Sequence, residues 1–284
     1  LPKKIKIKKE FNQFQKKWLL PSGESFSEFD YIIYGSDQVW NPILTDNDYN
    51  YFGKNYNGKK IAYAASDGGE LKLSDEILIL LNDFYRIFCR ENSLKNRIEN
   101  KMVNKTISTV CDPVFLFSKE DWISFSKKTK YSNYILIYKV MDNFVLDKEV
   151  EKFAKKYKKD VIQIVYAKSI RTIFCFSQKF VSAISPNEFV GYFVYADFIF
   201  TTSFHGTAFS TLLEKDFYVF QFEKRSERIT DLLLEFNLSH RFVNSIPNFD
   251  TYEEYKIDYT KIIDKKASYI KKSESLLKEV LYEQ

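Results

Sequence analysis

Cysteine and histidine are scarce in this sequence, with three Cys and two His among 284 residues. So few cysteines exclude a disulfide framework. Cys89, Cys111 and Cys175 each lie inside or beside an apolar stretch, as expected for reduced, buried thiols of a cytosolic protein. No spacing of Cys and His suits zinc. We therefore expect a chain without a metal cofactor.

Long hydrophobic runs and a strong charge excess are also missing. No uninterrupted apolar run reaches the roughly 18 residues of a membrane-spanning helix, and the best stretch, Phe189 to Phe204, contains Asp197. Lys and Arg total 43 against 38 Asp and Glu, a net charge of +5. This excess is too small and scattered for a nucleic-acid-binding protein, but it suits a small anionic substrate. We expect a cytoplasmic protein, with peripheral association at the inner face of the membrane as a further option.

Aromatic residues are abundant, at 18% of the chain, so large rings must fill much of the interior. Short apolar runs alternate with helical patterns, which is typical of βα units around parallel sheets. The predicted strands cover residues 31–34, 60–64, 86–89, 106–110, 134–138, 161–166, 198–201 and 217–220. The predicted helices cover residues 75–85, 93–101, 119–125, 144–158, 186–195, 206–213, 228–236 and 259–282.

A polar segment, Ser126–Asn133, separates two such series and is the candidate linker. We expect an N-terminal α/β domain over residues 1–130 and a C-terminal α/β domain over residues 131–284, whose final helix crosses back to the N-terminal half. Ligands of parallel sheets bind beyond the carboxyl ends of the strands, so polar residues that follow strands are the candidate site residues. The basic segment Lys3 to Lys9 and the stretch Arg241 to Asp258 receive no role.

Two other motifs are weighed and set aside. Gly53 to Lys60 nearly matches a P-loop, but Lys60 stands where a Ser or Thr must bind magnesium, and the segment precedes a strand. Asp46-Asn47-Asp48 has the acidic pattern that holds a metal-bound nucleotide-sugar diphosphate. Such triplets are common in polar loops, so a solvated loop is favoured.

The strongest candidate segment starts at Phe198 and contains Ser203, Phe204, His205 and Gly206. An apolar strand ends there and a helix begins, so free backbone N–H groups and the helix dipole can hold an anion. His205 can bind phosphate or transfer a proton near neutral pH. A histidine that only starts a helix explains the pattern equally well.

A second strand end carries Arg90 and Glu91. Arg90 offers planar donors for a phosphate or carboxylate, and Glu91 can orient it. Ser93 is predicted to cap the next helix. From this segment alone, a solvent-facing Arg–Glu pair is favoured over a binding site.

A polar cluster beside Trp40 follows the first predicted strand and comprises Ser36, Asp37, Gln38 and Asn41. Sugar-binding sites often combine such hydrogen-bonding groups with an apolar ring face. A turn capped by Asp37, with Trp40 in the core, explains the cluster equally well.

In order and spacing, these segments resemble the polysaccharide pyruvyl transferase family. The matching motifs are Gly35-Ser-Asp-Gln-Val-Trp-Asn-Pro42, Ile61-Ala-Tyr-Ala-Ala-Ser66, Cys89-Arg-Glu91, Asp112-Pro113, Thr202-Ser-Phe-His-Gly206, Arg228-Ile-x-x-Leu-Leu, Asn237-Leu238 and Arg241. The resemblance covers about Phe29 to Arg241. It implies two Rossmann-like domains in a glycosyltransferase-B-type arrangement, with phosphoenolpyruvate in the interdomain cleft.

The resemblance also implies an activity. Members transfer the pyruvyl part of phosphoenolpyruvate onto two hydroxyls of a sugar, in a bacterial polysaccharide or its lipid-linked precursor, and so form a pyruvate ketal and release phosphate. Arg90 and His205 match the family's phosphoenolpyruvate-binding residues, with Ser203, Phe204 and Gly206 on the same loop as His205. Phosphoenolpyruvate is then a co-substrate, and neither a cofactor nor a metal is implied.

Further roles follow from the same resemblance. His205 is the candidate general acid, and Asp37 is the weaker candidate for a general base at the acceptor. Arg228 matches a recurrent family position and is included among the substrate-binding candidates, as are the polar residues around Asp37.

The start of the chain departs from the family pattern. The family's usual first strand and its Asn/Gly-containing loop have no counterpart, so we expect an N-terminal domain that lacks its first strand. Two alternatives stay open. A nucleotide-sugar glycosyltransferase of the same architecture would bind nucleotides and ignore phosphoenolpyruvate, and a catalytically idle relative would only bind carbohydrate.

Overall fold

The structure is a computed structural model that describes residues 2–18, 29–140, 143–165, 178–182, 184–220 and 227–282. The chain forms two compact units, each built on a parallel sheet. The four-strand unit comprises Gly23–Leu116, Lys224–Phe236 and Lys261–Gln284. The six-strand unit comprises Leu1–Ser22, Phe117–Glu223 and Asn237–Thr260.

Strands and helices alternate through most of the described residues. The strands are β1 Tyr31–Tyr34, β2 Lys59–Ala65, β3 Arg86–Cys89, β4 Ile107–Thr109, β5 Tyr134–Tyr138, β6 Asp160–Ile164, β7 Gln178–Val181, β8 Phe198–Thr201, β9 Phe217–Phe220 and β10 Phe242–Val243. The helices are α1 Pro2–Trp18, α2 Pro42–Thr45, α3 Asp75–Asn82, α4 Asn92–Glu99, α5 Lys119–Phe125, α6 Phe144–Tyr157, α7 Pro186–Val194, α8 Phe204–Leu212, α9 Glu227–Glu235 and α10 Ile263–Tyr282.

The four-strand sheet has the order β1-β2-β3-β4 and buries side chains on both faces. One face packs against Leu81 of α3 and Leu94 of α4. The other face packs against Val280 of α10. The same helix holds the end of the sheet, because the backbone N–H of Cys111 donates to Ser273 Oγ at 2.8 Å. The last helix of the chain therefore completes the core around the sheet whose strands come first in the sequence.

The six-strand sheet has the order β10-β9-β8-β5-β6-β7 and a core rich in aromatic rings. The Phe153 ring of α6 lies 5.2 Å from that of Phe198 and 5.4 Å from that of Phe200. Arg241 is a buried structural residue of this unit. Its guanidinium donates to the carbonyls of Tyr255 at 2.6 Å and Lys256 at 2.9 Å, and these bonds fix a stretch that had no predicted role.

The predicted α/β class with two parallel sheets is confirmed. Five predicted strands, those at residues 31–34, 86–89, 134–138, 198–201 and 217–220, coincide with the observed bounds. Strands β7 and β10, which are short and lie at the two edges of their sheet, were not predicted, and neither was α1 over the basic segment. Tyr166 and Cys175 lie outside the described residues, while Cys89 and Cys111 are buried free thiols.

The segment proposed as a linker packs within the six-strand unit. The backbone N–H of Lys127 donates to the carbonyl of Asn187 at 2.9 Å, and its ammonium pairs with Glu188 at 2.8 Å. The chain accordingly passes from one unit to the other at residues 116–117, whereas the predicted domain boundary lies near residue 130. Within the described ranges, no helix is both long enough and apolar enough to cross a membrane.

Candidate functional site

Arg90 is the centre of a buried charge cluster in the four-strand unit. It follows β3, and its side chain is 1% exposed. Nη1 donates to Asp112 Oδ2 at 2.8 Å, and Nη2 donates to Asp37 Oδ1 at 2.9 Å. Burial alone would lower the pKa of Arg90, but the carboxylates of Asp112 and Asp37 outweigh it and raise this pKa. The guanidinium is therefore fixed in position and charged.

A second guanidinium, that of Arg228 on α9, shares the carboxylate of Asp37. Arg228 Nη1 lies 3.9 Å from Asp37 Oδ1, and its side chain is 16% exposed. With the Gln38 amide turned so that its oxygen faces Arg228, that oxygen lies 3.1 Å from Nη2. Burial and the nearby Arg90 cation lower the pKa of Arg228. Two cations thus meet at one carboxylate, whose own side chain is 56% exposed.

Glu91 does not orient Arg90 in the predicted way. Its Oε1 accepts from Ser66 Oγ at 2.7 Å and from the backbone N–H of Asp67 at 3.3 Å. Its Oε2 is buried and has no hydrogen-bond partner among the described residues. Desolvation by burial raises the pKa of Glu91 to about 7, although Ser66 and Arg90 oppose the shift. A carboxyl group that titrates near neutral pH thus lies beside both arginines.

The segment after β1 is bent so that Asp37 reaches Arg90. Gly35 has φ +129°, and a Cβ there would lie 2.2 Å from the carbonyl oxygen of Tyr63, so only glycine fits. Asp37 follows with φ 65°, and its backbone oxygen accepts from the N–H groups of Val39 and Ser66. Ser36 in this bend is partly exposed.

Trp40 and Asn41 have structural roles. Trp40 is fully buried, stacks on Phe52 at 5.4 Å and donates its indole N–H to the carbonyl of Tyr51 at 3.0 Å. Asn41 caps α2 by accepting from the backbone N–H of Ile43 at 3.0 Å. The expectation that Trp40 offers a ring face to a sugar is wrong, because both faces of its ring lie in the core.

The start of α4 also differs from its predicted form. Ser93 is not the N-cap; Glu91 occupies that position without a side-chain cap bond. The first backbone N–H of the helix, that of Asn92, instead donates to Asp231 Oδ2 of α9 at 2.8 Å. Ser93 Oγ is buried and has no partner in the part of the chain that the structure describes.

The other candidate group lies at the start of α8 in the six-strand unit. The helix begins at Phe204, two residues earlier than predicted, and Ser203 Oγ caps it by accepting from the N–H of Gly206 at 3.3 Å. A Cβ on Gly206 would lie 2.1 Å from Thr201 Oγ1, so this position of the turn requires glycine. Ser203 and Phe204 are buried, whereas His205 is partly exposed. His205 is thus the side chain of this turn that can meet a ligand.

The structure brings together Asp37, Gln38, Arg90, Glu91 and Arg228 in one unit. The common cleft predicted for Arg90 and His205 stays a prediction. Asp112 had no predicted role, although its position just after β4, beside β3 in the sheet, is the signal that would have placed it at Arg90. Among the described residues, no cluster of His, Cys, Asp and Glu could hold a metal ion.

Comparison with known proteins decides the family. A family model described as polysaccharide pyruvyl transferase matches residues 1–222. The chain belongs to the polysaccharide pyruvyl transferase family. Among curated proteins, none matches this chain significantly in sequence.

Solved structures share the fold of this family member at low sequence identity. UDP-GlcNAc 2-epimerase of Methanocaldococcus jannaschii, in complex with UDP-GlcNAc and UDP, is 12% identical with TM-score 0.51, covering 98% of this chain and 80% of that one. The Neisseria meningitidis enzyme bound to UDP-GlcNAc is 11% identical with TM-score 0.50, at 98% and 80% coverage. S. aureus MnaA with UDP is 10% identical with TM-score 0.52, at 97% and 78% coverage. The predicted glycosyltransferase-B-type fold class is thereby confirmed.

Proposed function

We propose that this chain transfers the pyruvyl group of phosphoenolpyruvate onto two hydroxyls of a sugar in a polysaccharide or its lipid-linked precursor. The products are a pyruvate ketal and phosphate. The observation that carries the proposal, beside family membership, is the pair of guanidiniums at Asp37. Two fixed cations at the end of a parallel sheet suit a ligand that carries both a carboxylate and a phosphate.

In this proposal Arg90 and Arg228 bind the anionic groups of phosphoenolpyruvate. The half-exposed carboxylate of Asp37 lies against both cations, where a substrate oxyanion would compete with it. Gln38 borders the same position, because its turned amide oxygen lies 3.1 Å from Arg228 Nη2. Arg90 needs no movement because Asp112 holds it from the buried side. A preformed donor such as Arg90 stabilises the departing phosphate without moving itself.

The chemistry requires two bonds to the central carbon of phosphoenolpyruvate. A proton adds to the methylene carbon, which becomes a methyl group, and the oxygen of a first sugar hydroxyl attacks the central carbon and loses its proton. The second hydroxyl then attacks the same carbon, phosphate leaves with the C–O bonding electrons, and the second hydroxyl proton goes to phosphate or water. We assign the acid role, or a contact to phosphate, to His205, and the base role at a hydroxyl to Asp37.

Direct assay tests the proposal. Phosphate release and ketal formation are measured with phosphoenolpyruvate and a panel of lipid-linked and nucleotide-linked sugars. Arg228→Ala should raise the KM for phosphoenolpyruvate about tenfold to a hundredfold, the value of one or two charge-assisted hydrogen bonds. Arg86→Ala, which removes a guanidinium stacked on Tyr85 in the same unit, is the matched control and should leave KM unchanged. An active chain with no response to Arg228→Ala would remove this residue from the site.

A nucleotide-sugar enzyme is the second candidate function. The observation that favours it is the shared fold with epimerases whose structures hold UDP-GlcNAc or UDP. It predicts binding of UDP-sugars and no phosphate release from phosphoenolpyruvate. Isothermal titration with UDP-GlcNAc and with phosphoenolpyruvate separates the two candidates. We place either activity in the cytoplasm, at or near the membrane where lipid-linked sugars are available.

A further inference from the structure

Glu91 is a buried acid that the proposed reaction does not use. The residue is 2% exposed, and Oε1 accepts hydrogen bonds from Ser66 Oγ and from the backbone N–H of Asp67. Oε2 faces no donor in the described ranges. Burying an ionised carboxylate whose second oxygen accepts no hydrogen bond costs free energy, so the neutral form is favoured. The pKa of Glu91 therefore rises to about 7.

The groups around Glu91 come from every element at this end of the sheet. Cys89 and Arg90 precede it at the end of β3, Ser66 and Asp67 come from the loop after β2, and Arg228 comes from α9. Asp37 and Asp112 act through the arginines. Asp67 is already paired with Arg97 at 2.6 Å. Arg90 divides its charge between Asp112 and Asp37. The three arginines thus balance three aspartates, Asp37, Asp67 and Asp112. An ionised Glu91 adds a fourth carboxylate, which no arginine charge balances.

An added anion changes this balance. A phosphate or carboxylate bound at Arg90 and Arg228 would bring negative charge to the two cations that support ionised Glu91. The free energy of protonating Glu91 then becomes more favourable, and by reciprocity a protonated Glu91 strengthens anion binding by the same factor. The coupling needs no contact between Glu91 and the ligand, since both act on the same guanidinium groups.

We propose that Glu91 is a proton-linked positioning residue, whose carboxyl takes up a proton when a multiply charged anion binds between Arg90 and Arg228. The inference rests on the proposed function, because it takes phosphoenolpyruvate as that anion. Glu91 sets the charge of the site, and its side chain does not itself contact the substrate. The affinity for substrate therefore depends on pH in a range where the phosphate of phosphoenolpyruvate no longer titrates, above its second pKa of about 6.

Proton uptake can be counted directly. Phosphoenolpyruvate is titrated calorimetrically into the wild-type chain at pH 8 in two buffers of different ionisation enthalpy. The difference in apparent heat gives the number of protons bound, and we expect about half a proton or more. Affinity should fall as pH rises from 7 to 8.5, by up to about tenfold per pH unit.

The variant Glu91→Gln keeps the shape of the neutral acid and cannot titrate. It should bind phosphoenolpyruvate with no proton uptake and with an affinity that stays flat over this pH range. Glu76→Gln is the matched control, because Glu76 belongs to the same unit and its side chain is 55% exposed. It should keep the wild-type uptake. A thermal melt confirms that both variants are folded.

The same titrations with sulfate, a dianion at all these pH values, separate this inference from the proposed function. If sulfate binds with Glu91-dependent uptake but phosphoenolpyruvate does not bind, the proposed function fails and the proton linkage stands. If phosphoenolpyruvate binds and is turned over without proton uptake, or if Glu91→Gln keeps the wild-type uptake, the linkage is wrong. If neither anion binds, both proposals are wrong.

Discussion

His205 lies in the first turn of α8 with its ring edge-on to Phe204, the centroids 5.5 Å apart. Because its side chain is partly exposed, loss of the imidazole should cost little packing. We expect His205→Ala to lower ketal formation at saturating phosphoenolpyruvate by about 10²–10⁴, or roughly 3–5 kcal/mol of transition-state stabilisation. Turnover and a thermal melt are measured together.

His240→Ala is the matched control for this prediction, since it removes the other histidine from the same unit. The His240 ring accepts from Arg241 Nε at 3.1 Å, so this variant can lose some stability but should keep turnover. If His205→Ala turns over within about threefold of wild type, His205 is neither the acid nor an essential ligand.

Glu91 should make stability depend on pH with a sign opposite to that of most acids. Burial raises its pKa from 4.5 to about 7, so the folded state binds the proton more tightly than the unfolded chain. The stabilisation is complete below pH 4.5 and is lost as pH rises through about 7. The loss amounts to roughly 3 kcal/mol, at about 1.4 kcal/mol per pKa unit.

Urea unfolding at pH 5 and pH 8 measures this contribution. Between pH 5 and pH 8 the wild-type chain should lose more unfolding free energy than Glu91→Gln loses. The difference between these two losses is the contribution of Glu91. Equal pH dependence of wild type and Glu91→Gln would show that Glu91 is ionised in the folded state at pH 8 without cost.

The helix α10 is tied to the four-strand sheet by Ser273, whose Oγ accepts from the buried N–H of Cys111 and donates to the carbonyl of Tyr269 at 3.0 Å. Ser273→Ala leaves that N–H without its partner, which should cost about 1–3 kcal/mol in the free energy of unfolding. Ser275→Ala on the exposed side of the same helix should be neutral or slightly stabilising, because Ala is the better helix former. Similar effects of the two substitutions in urea unfolding would refute the role of Ser273.

Strands that are buried on both faces could be predicted from the sequence because they are continuous apolar runs, as at Phe198–Thr201 and Phe217–Phe220. The two-residue strand β10 and the strand β7, which starts with Gln178 and Lys179, carry no such run. The cap of α4 was missed for another reason. Its partner Asp231 is 139 residues away, and local sequence does not report such a contact.

The sequence predicts most of the charged residues that lie at the candidate site, but it does not predict which carboxylate pairs with which guanidinium. Arg90 and Asp37 were found because each follows a strand, and parallel strands end at the same edge of a sheet. Which carboxylate holds which guanidinium depends on the bend at Gly35 and on α9, which reaches the site from residue 227 onward. Trp40 beside polar residues looks the same in sequence whether its ring faces a sugar or, as here, the core.

The four-strand unit is assembled from three separate stretches of the chain. Deleting residues 261–284 removes α10 and uncovers the face formed by Ile61, Phe88 and Val110. We expect the shortened chain to bind the dye ANS strongly and to lose cooperative unfolding of this unit, because the exposed apolar face no longer has a partner. Lys278→Ala, which changes an exposed side chain of the same helix, should behave like wild type. An unchanged urea transition after the deletion would show that α10 is dispensable.

The position of α10 has a consequence for synthesis in the cell. The ribosome makes β4 about 150 residues before it begins α10, which at about 5–20 residues per second is a delay of roughly 10–30 s. During that interval the face that α10 will cover is bare, while segments of the six-strand unit are still emerging. The nascent chain therefore presents an apolar sheet surface for many seconds, until α10 has been made.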